Sequence, residues 1–329
     1  MLASTFLTLQ IGFIPMFEKY YGFTGRPFQL TPDPSFFFNS KVHEKAAAYL
    51  LYGLDQGEGF IVLTGDVGAG KTTLLRHLLT HLDKDHFCPA QIETSQLGAD
   101  DLLRMVALAF GVALTFDKAS LLAAIQAFLK SSHRAGRRCL LLIDEAQNLS
   151  IAALEELRML SNFQIGDTSL MQSFLVGQPQ FRATLASAGL EQLRQRVIAT
   201  YHLGPLSESE TAAYVGHRLQ MAGWKQDPYL GPDCLAAVFQ RSGGVPRRVN
   251  TLMSRLLLFG FLEELHDLSA AMVDIVADDM NAEIGQSDIS ANAMAGGLDQ
   301  RLQQLDARIY RHDVALKRTL GLFADLVAH

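Results

Sequence analysis

The chain has 329 residues, 49% apolar and 19% charged, which is enough for two ordinary domains around a sizeable core and too apolar for a mostly disordered chain. With 28 basic residues against 34 acidic ones the formal charge is −6. That excludes a surface that attracts nucleic acid throughout, and leaves only a local basic patch at Arg134, Arg137 and Arg138.

Residues 1–15 are uncharged and mixed apolar, without the basic start and small-residue cleavage site of a secretory signal. Met16 opens a run of different texture, Met16-Phe17-Glu18-Lys19-Tyr20-Tyr21-Gly22-Phe23. Translation is therefore expected to start at Met16, with 1–15 a non-native extension; a short membrane-touching segment is the rival reading. From residue 60 short apolar runs alternate with longer helical patterns, as in a parallel sheet wrapped by helices. Strands are expected at 60–64, 90–94, 139–143, 173–177 and 197–203, with helices such as 118–135 and 151–163 between them.

After Ser207 the strand patterns stop. Helix periodicity covers 208–221, 233–241, 246–264 and 269–283, broken by Gly231-Pro232 and Gly243-Gly244-Val245-Pro246. The chain thus divides into an α/β core at 16–206 and an all-helical unit at 207–283. Residues 284–297, with GQSDISANAMAGG starting at Gly285, read as a flexible linker. Beyond it Leu298, Leu302, Leu305, Ile309, Leu316, Leu320, Phe323 and Val327 recur mostly at spacings of four and three. That stripe predicts an amphipathic helix within 298–329 that folds back on the chain, pairs as a coiled coil, or docks on a partner. No uncharged apolar window reaches roughly 18 residues, so no transmembrane span and a cytoplasmic chain are expected. The three cysteines, Cys88, Cys139 and Cys234, have no metal-ligand spacing and read as reduced.

The strongest chemical signal is Gly65-Asp66-Val67-Gly68-Ala69-Gly70-Lys71-Thr72-Thr73, directly after an expected strand and leading into an expected helix. This is a phosphate-binding P-loop in its required context. The glycines let successive backbone N–H groups turn toward phosphate oxygens, and the helix N-terminus adds its positive dipole end. Lys71 is placed to reach the β/γ phosphates of ATP, and Thr72 offers a hydroxyl to Mg²⁺. The second signal is Leu140-Leu141-Leu142-Ile143-Asp144-Glu145, a buried strand ending in two carboxylates. Asp144 would hold Mg²⁺ through water and Glu145 would polarise the attacking water, as in a Walker B motif.

Charge developing on a transferred γ-phosphate calls for more cations than one lysine. Arg194 and Arg196 end a helical pattern just before the fifth strand, where arginines are also electrostatically at ease at a helix C-terminus. Arg247 opens a helix of the second unit, where a cation opposes the macrodipole and a purely structural role is disfavoured. Gln178, after the fourth strand, is a candidate to contact the γ-phosphate or orient water.

These motifs, taken with Tyr20-Tyr21-Gly22-Phe23, Pro27-Phe28-Gln29-Leu30-Thr31-Pro32-Asp33-Pro34, Asp144-Glu145-Ala146-Gln147-Asn148-Leu149, Val176-Gly177-Gln178-Pro179 and Gly243-Gly244-Val245-Pro246-Arg247-Arg248-Val249-Asn250, carry a resemblance. The chain resembles AAA+ ATPases of the general secretion pathway protein A (ExeA) type, from Met16 to about Glu283, and more narrowly those associated with exosortase/PEP-CTERM systems. The resemblance implies a P-loop NTPase fold: an αβα core with a parallel sheet, a helical lid, and assembly into ring-shaped homo-oligomers with ATP between subunits. It also implies Arg196 as the arginine finger, with Arg194 as runner-up, Gln178 as sensor 1 and Arg247 as sensor 2. The 23–34 loop and the residues near His43 would lie close to the adenine, although by itself that aromatic, proline-rich stretch reads as an ordered turn packed on the core.

Secretion-pathway members continue into a membrane span and a peptidoglycan-binding domain, whereas here a linker and amphipathic stripe follow the lid, so a direct cell-wall role does not transfer. The expected function is a Mg²⁺-dependent ATPase serving assembly of a cell-envelope polysaccharide or protein-export system, with a protein partner engaged through 298–329 and no nucleic acid. The alternatives are a DNA-associated ATPase like the transposition target-selection regulators and an ATP-gated assembly scaffold.

Overall fold

The computed structural model describes residues 16–29, 36–93 and 97–288. The expected extension at 1–15, residues 30–34 of the loop near the adenine, most of the linker and the stripe within 298–329 lie outside the described residues.

Five parallel strands form the central sheet: β1 (Phe60–Gly65), β2 (Phe87–Glu93), β3 (Arg138–Asp144), β4 (Met171–Gly177) and β5 (Val197–Leu203), in the order β2-β3-β4-β1-β5. The three inner strands are buried almost without interruption, which is why they read as continuous apolar runs in the sequence. The edge strand β2 begins three residues earlier than expected and contains Pro89. Proline lacks a ladder donor, and an edge strand has one side where none is needed.

Alternate residues of each strand face opposite sides. Phe60, Val62, Leu141, Ile143 and Leu175 pack under α4 (Ala99–Ala109), α5 (Lys118–Arg134), α6 (Ile151–Leu160) and the short α7 (Gln180–Leu185) and α8 (Glu191–Arg194). Ile61, Leu63, Leu142, Phe174 and Val176 pack against α2 (Lys41–Gln56) and α3 (Lys71–Thr80) on the other face. The result is an αβα sandwich.

The helical unit is built from α9 (Glu208–Met221), α10 (Pro232–Ser242), α11 (Pro246–Leu262) and α12 (Ala270–Asp288). Ser207 and Glu210 close a reciprocal capping box at the start of α9, and Pro232 and Pro246 stand in the first turns of α10 and α11, where a missing N–H costs nothing. Helix α12 runs to Asp288, past the expected start of the linker. A single Gly285 costs a helix only about 1 kcal/mol and does not end one.

One segment packs elsewhere than expected. Helix α1 (Met16–Tyr20) and the aromatic residues after it join the lid and not the α/β core: Tyr21, Phe23 and Phe28 are buried among Leu219, Val249, Met253, Leu256 and Leu257. The Tyr21 hydroxyl donates to the Leu265 carbonyl at 3.0 Å, and Thr24 N–H to the Ala222 carbonyl at 2.8 Å. Among the described residues no helix is long and apolar enough to cross a membrane.

Candidate functional site

Because β4 lies between β1 and β3 in a parallel sheet, the loops after β1, β3 and β4 emerge side by side at the strands' carboxyl ends. Open α/β sheets offer their ligand sites at that edge. A cleft of about 390 Å³ opens there, bounded by the P-loop, Glu145, the start of α11 and the aromatic run Phe36, Phe37 and Phe38.

Gly68 and Gly70 adopt φ of +84° and +97°, in the left-handed region, and bend the loop into a cradle that leads into α3. A Cβ on Gly68 would stand 2.2 Å from the Cβ of Arg247, so glycine is required where the lid meets the loop. The Arg247 backbone N–H donates to the Gly68 carbonyl at 3.2 Å, and its side chain lines the cleft. Lys71 is buried, with Nζ donating to the carbonyls of Gly65 at 2.7 Å and Asp66 at 3.0 Å. Burial lowers the pKa of its ammonium, while Glu145, Asp144 and Asp66 push it back up.

The Thr72 hydroxyl donates to Asp144 Oδ2 at 2.6 Å, joining the P-loop helix to the end of β3. Asp144 Oδ1 in turn accepts the Glu145 backbone N–H at 2.9 Å, and Glu145 turns into the left-handed region at φ +53°. A non-glycine residue in that region costs of order 1 kcal/mol and is held there only by its surroundings. Two amides belong to those surroundings: Gln147 Nε2 at 2.5 Å and Gln178 Nε2 at 3.2 Å both donate to Glu145 Oε2. Gln147 Oε1 accepts the Gln178 backbone N–H at 2.9 Å, closing the triangle. Gln178 therefore meets Glu145 from the neighbouring strand. Gln147 received no role from the sequence, where it stood only as a member of the Asp144–Leu149 motif.

Arg194 and Arg196 do not join this cleft. They precede β5, whereas the cleft lies beyond the opposite, carboxyl ends of the strands. Arg194 pairs with Glu191 one helical turn back, and Arg196 reaches the Ser161 carbonyl and hydroxyl at 3.4 Å each; both arginines are exposed.

The far end of the cleft is made by residues that the motifs did not single out. Tyr214 on α9 donates to Asn250 Oδ1 on α11 at 2.8 Å. Arg218, one turn after Tyr214 and 7% exposed, donates to the Tyr214 hydroxyl at 3.3 Å and to the carbonyls of Pro27 at 2.6 Å and Gln29 at 3.2 Å. Its guanidinium lies 4.9 Å from the centre of the Phe36 ring. Burial raises the Tyr214 pKa, with Arg218 and Asn250 opposing. The i, i+4 spacing of Tyr214 and Arg218, and the i, i+3 spacing of Arg247 and Asn250, put each pair on one helix face. Gln29 and His43 also line the cleft.

Residues 54–185 match the AAA domain family. The chain is 37% identical over 270 residues to general secretion pathway protein A of Aeromonas hydrophila, an alignment that takes in 80% of this chain and 48% of that protein. It therefore spans about half the length of this curated relative. Among solved structures it is similar to the ADP form of ORC2 from Aeropyrum pernix (16% identity, 77% of this chain and 72% of that one, TM-score 0.59). It is also similar to Drosophila ORC bound to DNA (13% identity, 89% and 73%, TM-score 0.59) and to the Thermotoga maritima RuvB Holliday junction branch migration motor (19% identity, 78% and 73%, TM-score 0.50). The fold is that of a P-loop AAA protein, and the AAA portion is related to that of general secretion pathway protein A.

Proposed function

We propose that the chain is a Mg²⁺-dependent ATPase that works as a ring of identical subunits and delivers the work of hydrolysis to cell-envelope assembly machinery, of the exopolysaccharide or PEP-CTERM protein-sorting kind. The observation that carries the reading is the Thr72–Asp144 hydrogen bond beside Lys71 and Glu145, at the mouth of an α-helix. A hydroxyl and a carboxylate are the hard oxygen donors that suit Mg²⁺, which takes few protein ligands alongside phosphate oxygens and water. When bound, the ion supplies neutralisation of charge on the β- and γ-phosphates.

The chain's own groups do the rest. The P-loop N–H groups of 65–73 and the α3 dipole bind the phosphates, with Lys71 as the cation at the β/γ end. Glu145 polarises the attacking water, and its carboxylate is aimed by Gln147 and Gln178. Gln178 also senses the γ-phosphate, and Arg247 contributes a second cation from the lid. Arg196, exposed and remote from its own cleft, acts in the cleft of a neighbouring copy, with Arg194 the second choice. The likeness to general secretion pathway protein A supports the envelope side of the reading. The protein partner is taken to engage residues 298–329, and the chain to act at the inner face of the membrane through that partner. The DNA named with some structural neighbours does not transfer, since 13–19% identity speaks to fold alone.

The test is steady-state ATP hydrolysis with Mg²⁺. Lys71→Ala should lose nucleotide binding and turnover together, and Glu145→Gln should keep binding while turnover falls by about 10²–10⁴-fold. Retained turnover in either variant refutes the assignment. DNA-stimulated turnover with a steep salt dependence would move the reading to a DNA-associated ATPase.

A further inference from the structure

Gly177, the last residue of β4, lies outside the left-handed region, so its backbone does not call for glycine. What the missing side chain provides is space. A Cβ on Gly177 would stand 2.9 Å from Gln147 Oε1 and 3.3 Å from Phe181 Cβ. The Gln147 carboxamide therefore sits in a slot at the carboxyl end of β4. Its main chain is anchored below by a short 3₁₀ turn, Ala146–Asn148, in which the Asn148 N–H donates to the Glu145 carbonyl at 2.9 Å. Ala146 and Leu149, on either side of the turn's centre, are buried, and Leu149 bridges to Leu97 in the neighbouring loop.

Which end of the amide meets which group is decided by partners that have no choice. A main-chain N–H can only donate, so the Gln147 atom 2.9 Å from the Gln178 nitrogen is the oxygen. The amide nitrogen then stands at the other end, 2.5 Å from Glu145 Oε2, and an ionised carboxylate can only accept. The same carboxylate oxygen takes Gln178 Nε2 at 3.2 Å. One carboxamide thus holds the Gln178 main chain with its oxygen and the Glu145 side chain with its nitrogen.

We propose that Gln147 is a positioning residue for the hydrolytic step: seated in the slot left by Gly177, its carboxamide makes Glu145 and Gln178 one unit, so that the group assigned to the water and the group assigned to the γ-phosphate take their places together. This inference rests on the cleft being an ATP site with Glu145 as the residue that polarises water. Glu145 needs the support because it stands at φ +53°, a conformation that an L-residue does not keep unaided. Affinity for nucleotide comes from the P-loop N–H groups, Lys71 and the start of α3, so loss of Gln147 falls on kcat and leaves binding alone.

The experiment measures kcat and KM for ATP with Mg²⁺, and equilibrium binding of a fluorescent ATP analogue, on the full chain and its variants. Gln147→Met keeps the length of the side chain and removes both hydrogen bonds. Its kcat should fall about 10–10²-fold, the worth of one well-aimed hydrogen bond to a charged group, with KM and affinity within about threefold of the wild type. Gln147→Glu retains an oxygen for the Gln178 N–H but sets a carboxylate against Glu145, and should fall at least as far. Gly177→Ala meets mainly the tip of a flexible side chain; it should push the amide from its slot and lower kcat about tenfold with little change in melting. Added to Glu145→Gln, Gln147→Met should cost no further turnover, because it acts through that carboxylate. Wild-type kcat in Gln147→Met or in Gln147→Glu overturns the proposal, as does a loss of affinity that matches the loss of kcat or a further tenfold loss in the Glu145→Gln chain. If Gln147→Met does not fold, wild-type kcat in Gly177→Ala overturns it. A wild-type chain that does not hydrolyse ATP sinks the ATPase reading itself, whereas wild-type turnover with no difference among the Gln147 and Gly177 variants sinks only this inference.

Discussion

The two ends of the cleft are made in different ways. The phosphate end is assembled from strand ends: the loop after β1, the Asp144–Glu145 pair after β3 and Gln178 after β4 are neighbours because their strands are hydrogen-bonded neighbours. The far end is assembled from side chains of α9, α11 and the N-terminal segment, joined by Tyr214–Asn250 and by Arg218 to the carbonyls of Pro27 and Gln29. A sheet ladder fixes the first end as rigidly as the core itself. The second keeps its shape only while the lid and the N-terminal segment stay together. On the proposed reading the groups assigned to catalysis are thus carried on the sheet and the enclosing wall on the helical unit, the division expected of an enzyme that closes over its substrate.

The hydrogen bond from Arg247 N–H to the Gly68 carbonyl is where the two parts touch, and Gly68→Ala is the largest test of their coupling. The added methyl group would meet Arg247 Cβ at 2.2 Å, at a φ of +84° that costs an L-residue about 1–2 kcal/mol before any clash. We expect a loss of about 2–4 kcal/mol, seen as a melting temperature lower by roughly 5–10 °C, and at least a tenfold loss of ATP affinity. An alanine variant with unchanged melting and affinity would show that the lid and loop are not joined at this point.

A smaller effect separates the two ends. Arg218→Met keeps the buried stem and removes the donors to Pro27, Gln29 and Tyr214, at a cost of about 1–3 kcal/mol. The expected result is weaker ATP binding, by about tenfold, with affinity for inorganic tripolyphosphate unchanged. Amide exchange should speed up at Phe28 and Gln29 and not in the P-loop. Equal losses for ATP and tripolyphosphate would mean that the ends do not act separately.

The same contrast explains what could be read in advance. Gly65 to Thr73 lie within one short stretch, and the inner strands are apolar throughout, so motif and strand fall together in the sequence. Arg218 is different: on a helix with Glu208, Glu210 and Gln220 it resembles any solvent-facing cation, and only tertiary packing buries it. Helix α2 lies before residue 60, where the expected alternation of strands and helices begins, and its buried stripe of His43, Ala46, Leu50, Gly53 and Leu54 fits against β1 and β5. The aromatic run at Tyr21, Phe23 and Phe28 was legible as buried but not as belonging to the lid, since its partners lie some 200 residues away in the chain. Gln147 was in plain view, yet an amide after an Asp-Glu pair has no meaning until Glu145 turns toward it.

The smallest expected effect concerns pH. His43 has its pKa lowered, by burial first, so the unfolded chain binds a proton to this residue more readily than the folded one. The sign is fixed by that difference: the folded state has its full stability above the unfolded histidine value of about 6.5, and loses stability as pH falls from there through the lower folded value. One proton limits the slope to about 1.4 kcal/mol per pH unit, less when only partly released. His77 and His217 are lowered by burial as well and titrate in the same direction, so the wild type sums several such slopes. Thermal melting of wild type and His43→Gln between pH 7.5 and pH 5 isolates one of them. The glutamine variant should lose less stability on acidification, by a few degrees in melting temperature at the acid end, and nothing should separate the two chains' pH slopes above pH 7. If the two slopes were the same throughout, the P-loop side of the cleft would carry no acid sensitivity through His43, and the fall would belong to the lid and to α3, where His217 and His77 reside.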